Sequence, residues 1–141
     1  MRHQTALDET VCALLGYRRI AVVGLSDKPW RDSYRVAAYM AGHGYEIVAV
    51  NPEIEQVFGH PSYPDLESAP KPVELVDVFR RPEHVPAVFD AAIRAGAKAV
   101  WTQYGLVDDA GAERARAAGL QVVMNRCLMV EHARHSDANE V

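Results

Sequence analysis

Short apolar runs alternate along this chain with segments in which apolar residues recur every three or four positions. The runs end at glycine, proline or polar residues, and the segments between them have the periodicity of amphipathic helices. Runs with little polar interruption are typical of parallel strands that are buried on both faces. Five strands are predicted in this way, at residues 20–23, 47–50, 73–79, 99–102 and 121–124.

The alternation of strand and helix, repeated five times, predicts the fold class. We expect an α/β protein with a Rossmann-like, doubly wound, five-stranded parallel sheet and helices on both faces. Right-handed crossovers and the turn after the first strand favour the strand order 3-2-1-4-5. A ligand then lies outside the carboxyl ends of the strands, between the first and the fourth. A length of 141 residues suits one core, so residues 1–141 are predicted to form a single domain.

Three details of the predicted elements depend on local sequence. Asp32 or Ser33 is expected to cap the helix that follows the first strand. The proline-rich residues 53–72 are predicted to form a long connection with at most one helical turn. The last helix is predicted at residues 128–134, and the polar tail from His135 onward is expected to be frayed.

Charge and composition bear mainly on partners and location. The net charge is −4 and the 15 basic residues are scattered, so neither nucleic acid nor an anionic membrane is an expected partner. No run is apolar enough to span a membrane and the N-terminus lacks a signal-peptide core, which predicts a cytoplasmic protein. Cys12 and Cys127 are far apart and outside any CxxC motif, so neither a disulfide nor a metal site is indicated. A protein partner or a homo-oligomer remains open.

The turn after the first strand carries the clearest candidate chemistry. Gly24 ends the strand, and a polar segment leads from it into a helix. The first N–H groups of a helix have no intrahelical partner and carry partial positive charge, so an anion, most often a phosphate, is their natural ligand. Ser26 and Ser33 add hydroxyl donors, and Lys28, Arg31 and Arg35 add positive charge. Together these residues predict a site for a phosphorylated ligand.

The same turn departs from the G-x-G-x-x-G pattern of dinucleotide-binding proteins. Gly24 keeps the first glycine, but Ser26 replaces the second and Pro29 stands where the third would fall. The second strand ends in Asn51, where an NAD site uses Asp or Glu to bind the ribose hydroxyls. NAD therefore fits poorly, and a small NAD(P)-type redox protein or sensor is kept as the alternative reading.

Six short motifs occur in order along the chain. They are Gly24-Leu25-Ser26-x-x-Pro29-x-Arg31-x-Ser33-x-x-Val36-x-x-Tyr39, Gly44-Tyr45, Val50-Asn51-Pro52, Val78-Phe79-Arg80-x-Pro82, Trp101-x-Gln103-x-Gly105 and Arg126-Cys127-Leu128-Met129-Val130-Glu131-His132. In these six motifs and their order, the chain from Tyr17 to His132 resembles the small, single-domain CoA-binding proteins. Their fold is similar to the CoA-binding domain of the succinyl-CoA synthetase α subunit. Asn125 is a departure, because the family pattern has Asp there.

The resemblance implies that the ligand is coenzyme A or an acyl-CoA. It puts the diphosphate at the turn Gly24–Lys28 and at Ser33, and the adenosine end near Asn51-Pro52 and Phe79-Arg80. The cofactor-binding residues expected on these grounds are Gly24, Leu25, Ser26, Lys28, Arg31, Ser33, Asn51, Pro52, Phe79, Arg80, Gln103 and Cys127.

No catalytic group is predicted, so the expected role is binding without catalysis. None of the six histidines has the spacing to Ser, Cys or a carboxylate that indicates a triad or a metal site. Cys127 follows the fifth strand, where its thiol could form a mixed disulfide with the thiol of coenzyme A. We favour the alternative, in which Cys127 is a buried, apolar cysteine.

Overall fold

The secondary structure follows the alternation of apolar runs and amphipathic segments. A computed structural model describes residues 6–139, which form seven strands and five α-helices. The strands are β1 (Arg19–Val23), β2 (Glu46–Val50), β3 (Gln56–Val57), β4 (His60–Tyr63), β5 (Leu75–Val78), β6 (Ala99–Thr102) and β7 (Gln121–Val123). The helices are α1 (Ala6–Leu15), α2 (Asp32–Gly42), α3 (Val85–Arg94), α4 (Asp109–Ala117) and α5 (Leu128–Asn139), with a 3₁₀ turn (Pro82–His84) before α3.

The strands form one sheet in the order β3-β4-β2-β1-β5-β6-β7. Every neighbouring pair is parallel except β3 and β4, which form an antiparallel hairpin. The predicted α/β class with a mostly parallel sheet is therefore confirmed. The predicted five-stranded sheet with the order 3-2-1-4-5 is wrong, because the strand predicted as the third, β5, lies on the other side of β1 from β2.

The segment predicted as a long connection, residues 53–72, explains this error because part of it enters the sheet. β4 pairs in parallel with β2, with Ala49 beside Ser62, and occupies the place expected for the third strand. Its sequence, HPSY, is polar and contains a proline, which strands near a sheet edge tolerate but which gives no apolar run to detect. The switch point therefore lies between β1 and β5.

Apolar side chains cover both faces of the sheet, as predicted. On one face, residues such as Ile20 and Trp101 pack against α1, α2 and α5. On the other face, Val76 and Val100 pack against α3 and α4, where Phe89 is fully buried. Because both faces are covered, the ends of the strands are the place left for a ligand.

The start of α2 differs from the prediction. The helix begins at Asp32 after Arg31, and no side chain caps it. The hydroxyl oxygen of Ser33, expected as a possible cap, accepts a hydrogen bond from the N–H of Ser26 at 3.0 Å. Ser33 therefore ties the turn after β1 to the helix.

The end of α5 also differs from the prediction. The helix continues to Asn139, so its predicted end at residue 134 is wrong, and residues 140–141 lie outside the described part of the chain. His135 contacts Cys12 of α1, a contact between residues too distant in sequence to predict. Within residues 6–139, no helix combines the length and apolar composition that crossing a membrane requires.

Candidate functional site

An open cleft of about 1240 Å³ lies at the carboxyl ends of β1, β2, β5 and β6, beside the start of α2. Its volume exceeds the ~300–1,000 Å³ of most small-molecule pockets, which suits an extended ligand. Of the residues predicted to bind the cofactor, ten line it: Gly24, Ser26, Lys28, Arg31, Ser33, Asn51, Phe79, Arg80, Gln103 and Cys127. The other two, Leu25 and Pro52, are not among its lining residues.

Gly24 allows the chain leaving β1 to lie directly against the chain leaving β5. Its φ is +90°, and a Cβ atom there would lie 1.9 Å from the carbonyl oxygen of Phe79 and 3.2 Å from Cδ of Arg80. The N–H of Gly24 donates to the carbonyl of Val50 at 2.9 Å, which holds the turn in place. Only glycine fits this backbone position, and the Arg80 side chain runs alongside it.

The turn after β1 is organised by two serine hydroxyls. Ser33 Oγ accepts from the N–H of Ser26, and Ser26 Oγ accepts from the N–H of Lys28, both at 3.0 Å. Each hydroxyl keeps its own hydrogen and can donate it to a ligand. The first turn of α2 adds N–H groups that have no intrahelical partner and the positive end of the helix dipole. The arrangement is suited to hydrogen-bonding phosphate oxygens.

The cleft is rich in positive charge although the whole chain has a net charge of −4. The cations that line it are Lys28, Arg31, Arg35, Arg80 and Arg81, and the carboxylates are Asp27, Asp32 and Glu53. Arg35 is paired with Asp32. In the described part of the chain, no carboxylate lies within 4 Å of Arg31, Arg80 or Arg81. These three guanidinium groups are available to an anionic ligand.

Asn51 joins two loops at the end of β2. Its Nδ2 donates to the carbonyl of Leu25, and its Oδ1 accepts from the N–H of Glu53, both at 2.9 Å. Leu25 itself has a fully buried side chain in the apolar core. The amide of Asn51 is therefore engaged by the backbone, and it fixes the two loops at this side of the cleft.

The buried Asp77 fixes the side chain of Gln103 at the end of β6. Gln103 Nε2 donates to Asp77 Oδ1 at 2.6 Å, while Asp77 Oδ2 has no hydrogen-bond partner among the described residues. Only 1% of Asp77 is exposed, and this burial raises its pKa to about 7, against the opposing effect of the bond from Gln103. With one Nε2 hydrogen donated to Asp77, Gln103 has its second Nε2 hydrogen and its Oε1 left for a ligand.

The loops after β6 and β7 are connected through Asn125. This residue has a φ of +63°, a conformation that asparagine adopts more readily than most residues, and its Oδ1 accepts from the N–H of Gly105 at 2.8 Å. The departure from the family pattern thus retains an acceptor for the neighbouring loop. Cys127 follows it, buried within the apolar cluster that includes Trp101 and at the wall of the cleft.

Several residues at the cleft were missed by sequence reasoning. They include Ile54, Arg81, His84, Leu106 and Met129. Most lie within a few residues of a predicted site residue. A prediction that included every residue in the loop after each strand would have found them. Tyr104 and Trp30 are 63% and 69% exposed at the cleft. Both present large aromatic rings to solvent.

The sheet topology and the cation-lined cleft define a doubly wound α/β protein whose site suits a phosphorylated ligand. Comparison with known families makes this specific. The chain belongs to the CoA-binding domain family, whose model matches residues 18–133. The predicted family membership is therefore confirmed over nearly the same residues.

Individual relatives match most of the length of this chain. The chain is 40% identical over 116 residues to the uncharacterized protein YneT of Bacillus subtilis (strain 168), covering 82% of this chain and 86% of that protein. A hypothetical protein from Pyrococcus horikoshii OT3 is 37% identical, with a TM-score of 0.85 over 95% of this chain and 98% of that one.

A more distant structure shows a shared fold. It is the dinucleotide-forming acetyl-coenzyme A synthetase 1 of Ca. Korarchaeum cryptofilum, 21% identical, with a TM-score of 0.68. The match covers 78% of this chain and 26% of the synthetase chain. The fold of this chain therefore also occurs as one part of a larger synthetase.

Proposed function

We propose that this protein binds coenzyme A or an acyl-CoA without transforming it. The observation that carries the proposal is the turn at Gly24. There a side-chain-free backbone, two serine hydroxyls and the start of α2 meet guanidinium groups that have no carboxylate partner among the described residues. This donor set fits a diphosphate.

The rest of the cleft supports the proposal. Coenzyme A is long, because a phosphorylated adenosine is joined through the diphosphate to a pantetheine arm with two amides and a thiol. The cleft extends from the ends of β1 and β2 to those of β5 and β6, so it offers room on both sides of the turn. In this arrangement Gln103 Oε1 is an acceptor for an amide N–H of the arm. Family membership points to the same cofactor.

A non-catalytic role is supported by the groups that line the cleft. His84 and Cys127 are the side chains there that most often act as a base or a nucleophile. Among the described residues, neither is joined by a side-chain hydrogen bond or an ion pair to the other or to a carboxylate. We therefore propose a carrier, sensor or partner subunit rather than an enzyme.

The alternative, an NAD(P)-type ligand, is disfavoured by Asn51. An acidic residue at this position would chelate the ribose hydroxyls, whereas both polar atoms of the Asn51 amide are bonded to the backbone. Glu53 is the carboxylate of this segment that lines the cleft. NAD is therefore included as a competing ligand in the binding test.

Titration calorimetry with coenzyme A, dephospho-CoA and NAD tests the proposal. We expect coenzyme A to bind about tenfold or more tightly than NAD, with an affinity that falls as salt is added because the contacts are to phosphates. Weaker binding of dephospho-CoA would locate a contact to the 3′-phosphate. Equal or tighter binding of NAD would reject coenzyme A as the ligand and favour the alternative.

The free guanidinium groups supply a second prediction. Replacing Arg80 or Arg31 by alanine is expected to weaken coenzyme A binding about tenfold, the size of one charge-assisted hydrogen bond. Arg116→Ala is the matched control, because Arg116 is an exposed arginine of α4 outside this cleft. If Arg116→Ala weakened binding as much as Arg80→Ala, net charge rather than the site would explain the affinity.

A further inference from the structure

A thiol, an imidazole and a carboxylate meet between α1 and α5, among side chains that do not line the cleft. Cys12 Sγ lies 3.2 Å from His135 Nδ1, and His135 Nε2 lies 3.5 Å from Glu131 Oε1. Glu131 is only 4% exposed. This cluster could not be recognised in the sequence, because 123 positions separate Cys12 from His135.

The two contacts of His135 define its role toward the thiol. Nδ1 faces sulfur and can accept its proton. Nε2 forms no hydrogen bond among the described residues, but the Glu131 carboxylate lies near enough for its charge to stabilise the resulting imidazolium. A thiol beside a base whose protonated form is stabilised in this way is an arrangement that activates cysteine in proteins. Glu131 is also 3.6 Å from Arg134, which in turn approaches Asp8 of α1 at 3.8 Å. These contacts hold the two helices together around the thiol.

The cluster fits thiol chemistry better than metal binding. Within the described residues, no group of three or more His, Cys, Asp or Glu side chains is arranged to hold a metal ion. Cys12 is partly exposed. Cys127, in contrast, is buried among apolar side chains, and no side-chain hydrogen bond to it is formed among the described residues.

We infer that Cys12 is the reactive thiol of this protein and a site of mixed-disulfide formation with small aliphatic disulfides. Its proton moves from Sγ to His135 Nδ1, and the thiolate attacks one sulfur of the disulfide. The new bond joins Cys12 Sγ to that sulfur as the original S–S bond breaks. The other half leaves as a thiolate and takes up the proton from His135. The Cys12 thiol is oxidised and the leaving half of the disulfide is reduced.

The test uses the full chain and bis(2-hydroxyethyl) disulfide, a neutral reagent with no phosphate or nucleoside for the cleft to bind. Acid-quenched samples are analysed by peptide mass spectrometry, which gives separate rates for the two cysteines. Cys12 is expected to react about tenfold or more faster than Cys127. Faster reaction of Cys127, or equal rates, would overturn the inference whether or not the protein binds coenzyme A.

Variants test the part played by the imidazole. His135→Asn is expected to slow the reaction of Cys12 about tenfold while the rate at Cys127 stays the same, and His60→Asn, at an exposed histidine of β4, is expected to change neither rate. An unchanged or higher rate at Cys12 in His135→Asn overturns the inference.

Glu131→Gln provides an independent check if His135→Asn does not fold. It keeps the shape of the side chain and removes the charge that stabilises the imidazolium. We expect a slower reaction at Cys12, and an unchanged rate would contradict the proposed role of His135.

Running the wild-type reaction with CoA disulfide as well distinguishes the source of the disulfide. Modification of Cys12 at similar rates by both reagents indicates a general thiol site. A much faster reaction with CoA disulfide indicates delivery by a bound nucleotide. Transfer of the CoA group to Cys127 alone would overturn the assignment of Cys12.

Discussion

Replacing Gly24 by alanine is expected to lower the free energy of unfolding by about 3 kcal/mol or more and to abolish coenzyme A binding. The new Cβ would lie 1.9 Å from the carbonyl oxygen of Phe79, far inside van der Waals contact. The backbone has little freedom to move away, because Phe79 N–H donates to Val23 and Gly24 N–H donates to Val50, both at 2.9 Å. A positive φ adds to the cost for any residue with a side chain.

Urea unfolding and calorimetry of Gly24→Ala measure both effects, and Gly119→Ala is the matched control. Gly119 has a similar φ of +97°, but a Cβ there would meet no atom within 4 Å. Its substitution therefore reports the cost of the backbone conformation alone, about 1–2 kcal/mol, with coenzyme A binding unchanged. Equal destabilisation by the two substitutions would show that the approach of Gly24 to Phe79 is not what requires glycine.

The sheet order was harder to predict than the strands themselves. β1, β2, β6 and β7 are apolar runs whose burial on both faces leaves a clear signal in the sequence. β4 is exposed or half-buried and joins the sheet through two paired positions. Because its pairing depends on backbone hydrogen bonds to β2 rather than on apolar side chains, periodicity could not reveal it.

In the site, residues that lie close together in sequence were easier to recognise than contacts between distant residues. The turn from Gly24 to Ser33 lies in one stretch of sequence, so its glycine, hydroxyls and cations could be recognised together. The bond between Gln103 and Asp77 joins different strands. Asp77 appeared in the sequence only as a polar interruption of an apolar strand. Contacts of this kind depend on the register of the sheet, which the sequence alone left open.

The buried Asp77 leads to an expected dependence of stability on pH. Burial raises the pKa of this carboxyl from 3.8 to about 7, so between these values the folded protein holds a proton that the unfolded chain has released. The contribution of Asp77 to stability is therefore greatest at low pH and falls as pH rises toward 7. The loss accumulates at ~1.4 kcal/mol per pH unit from pH 5 to the pKa near 7 and then levels off, so it is about 3 kcal/mol between pH 5 and pH 8.

Asp77→Asn isolates this contribution from the other titrating groups. The asparagine keeps an oxygen to accept from Gln103 Nε2 but cannot ionise, so any cost of its buried amide N–H is independent of pH. The free energy of unfolding of both proteins is measured in urea at intervals from pH 5 to pH 8, and the difference is plotted against pH. The wild-type value should fall by about 3 kcal/mol relative to the variant, with most of the fall complete near pH 7. A constant difference would mean that Asp77 is ionised in the folded protein across this range. In that case Gln103 would be held by a carboxylate rather than by a carboxylic acid.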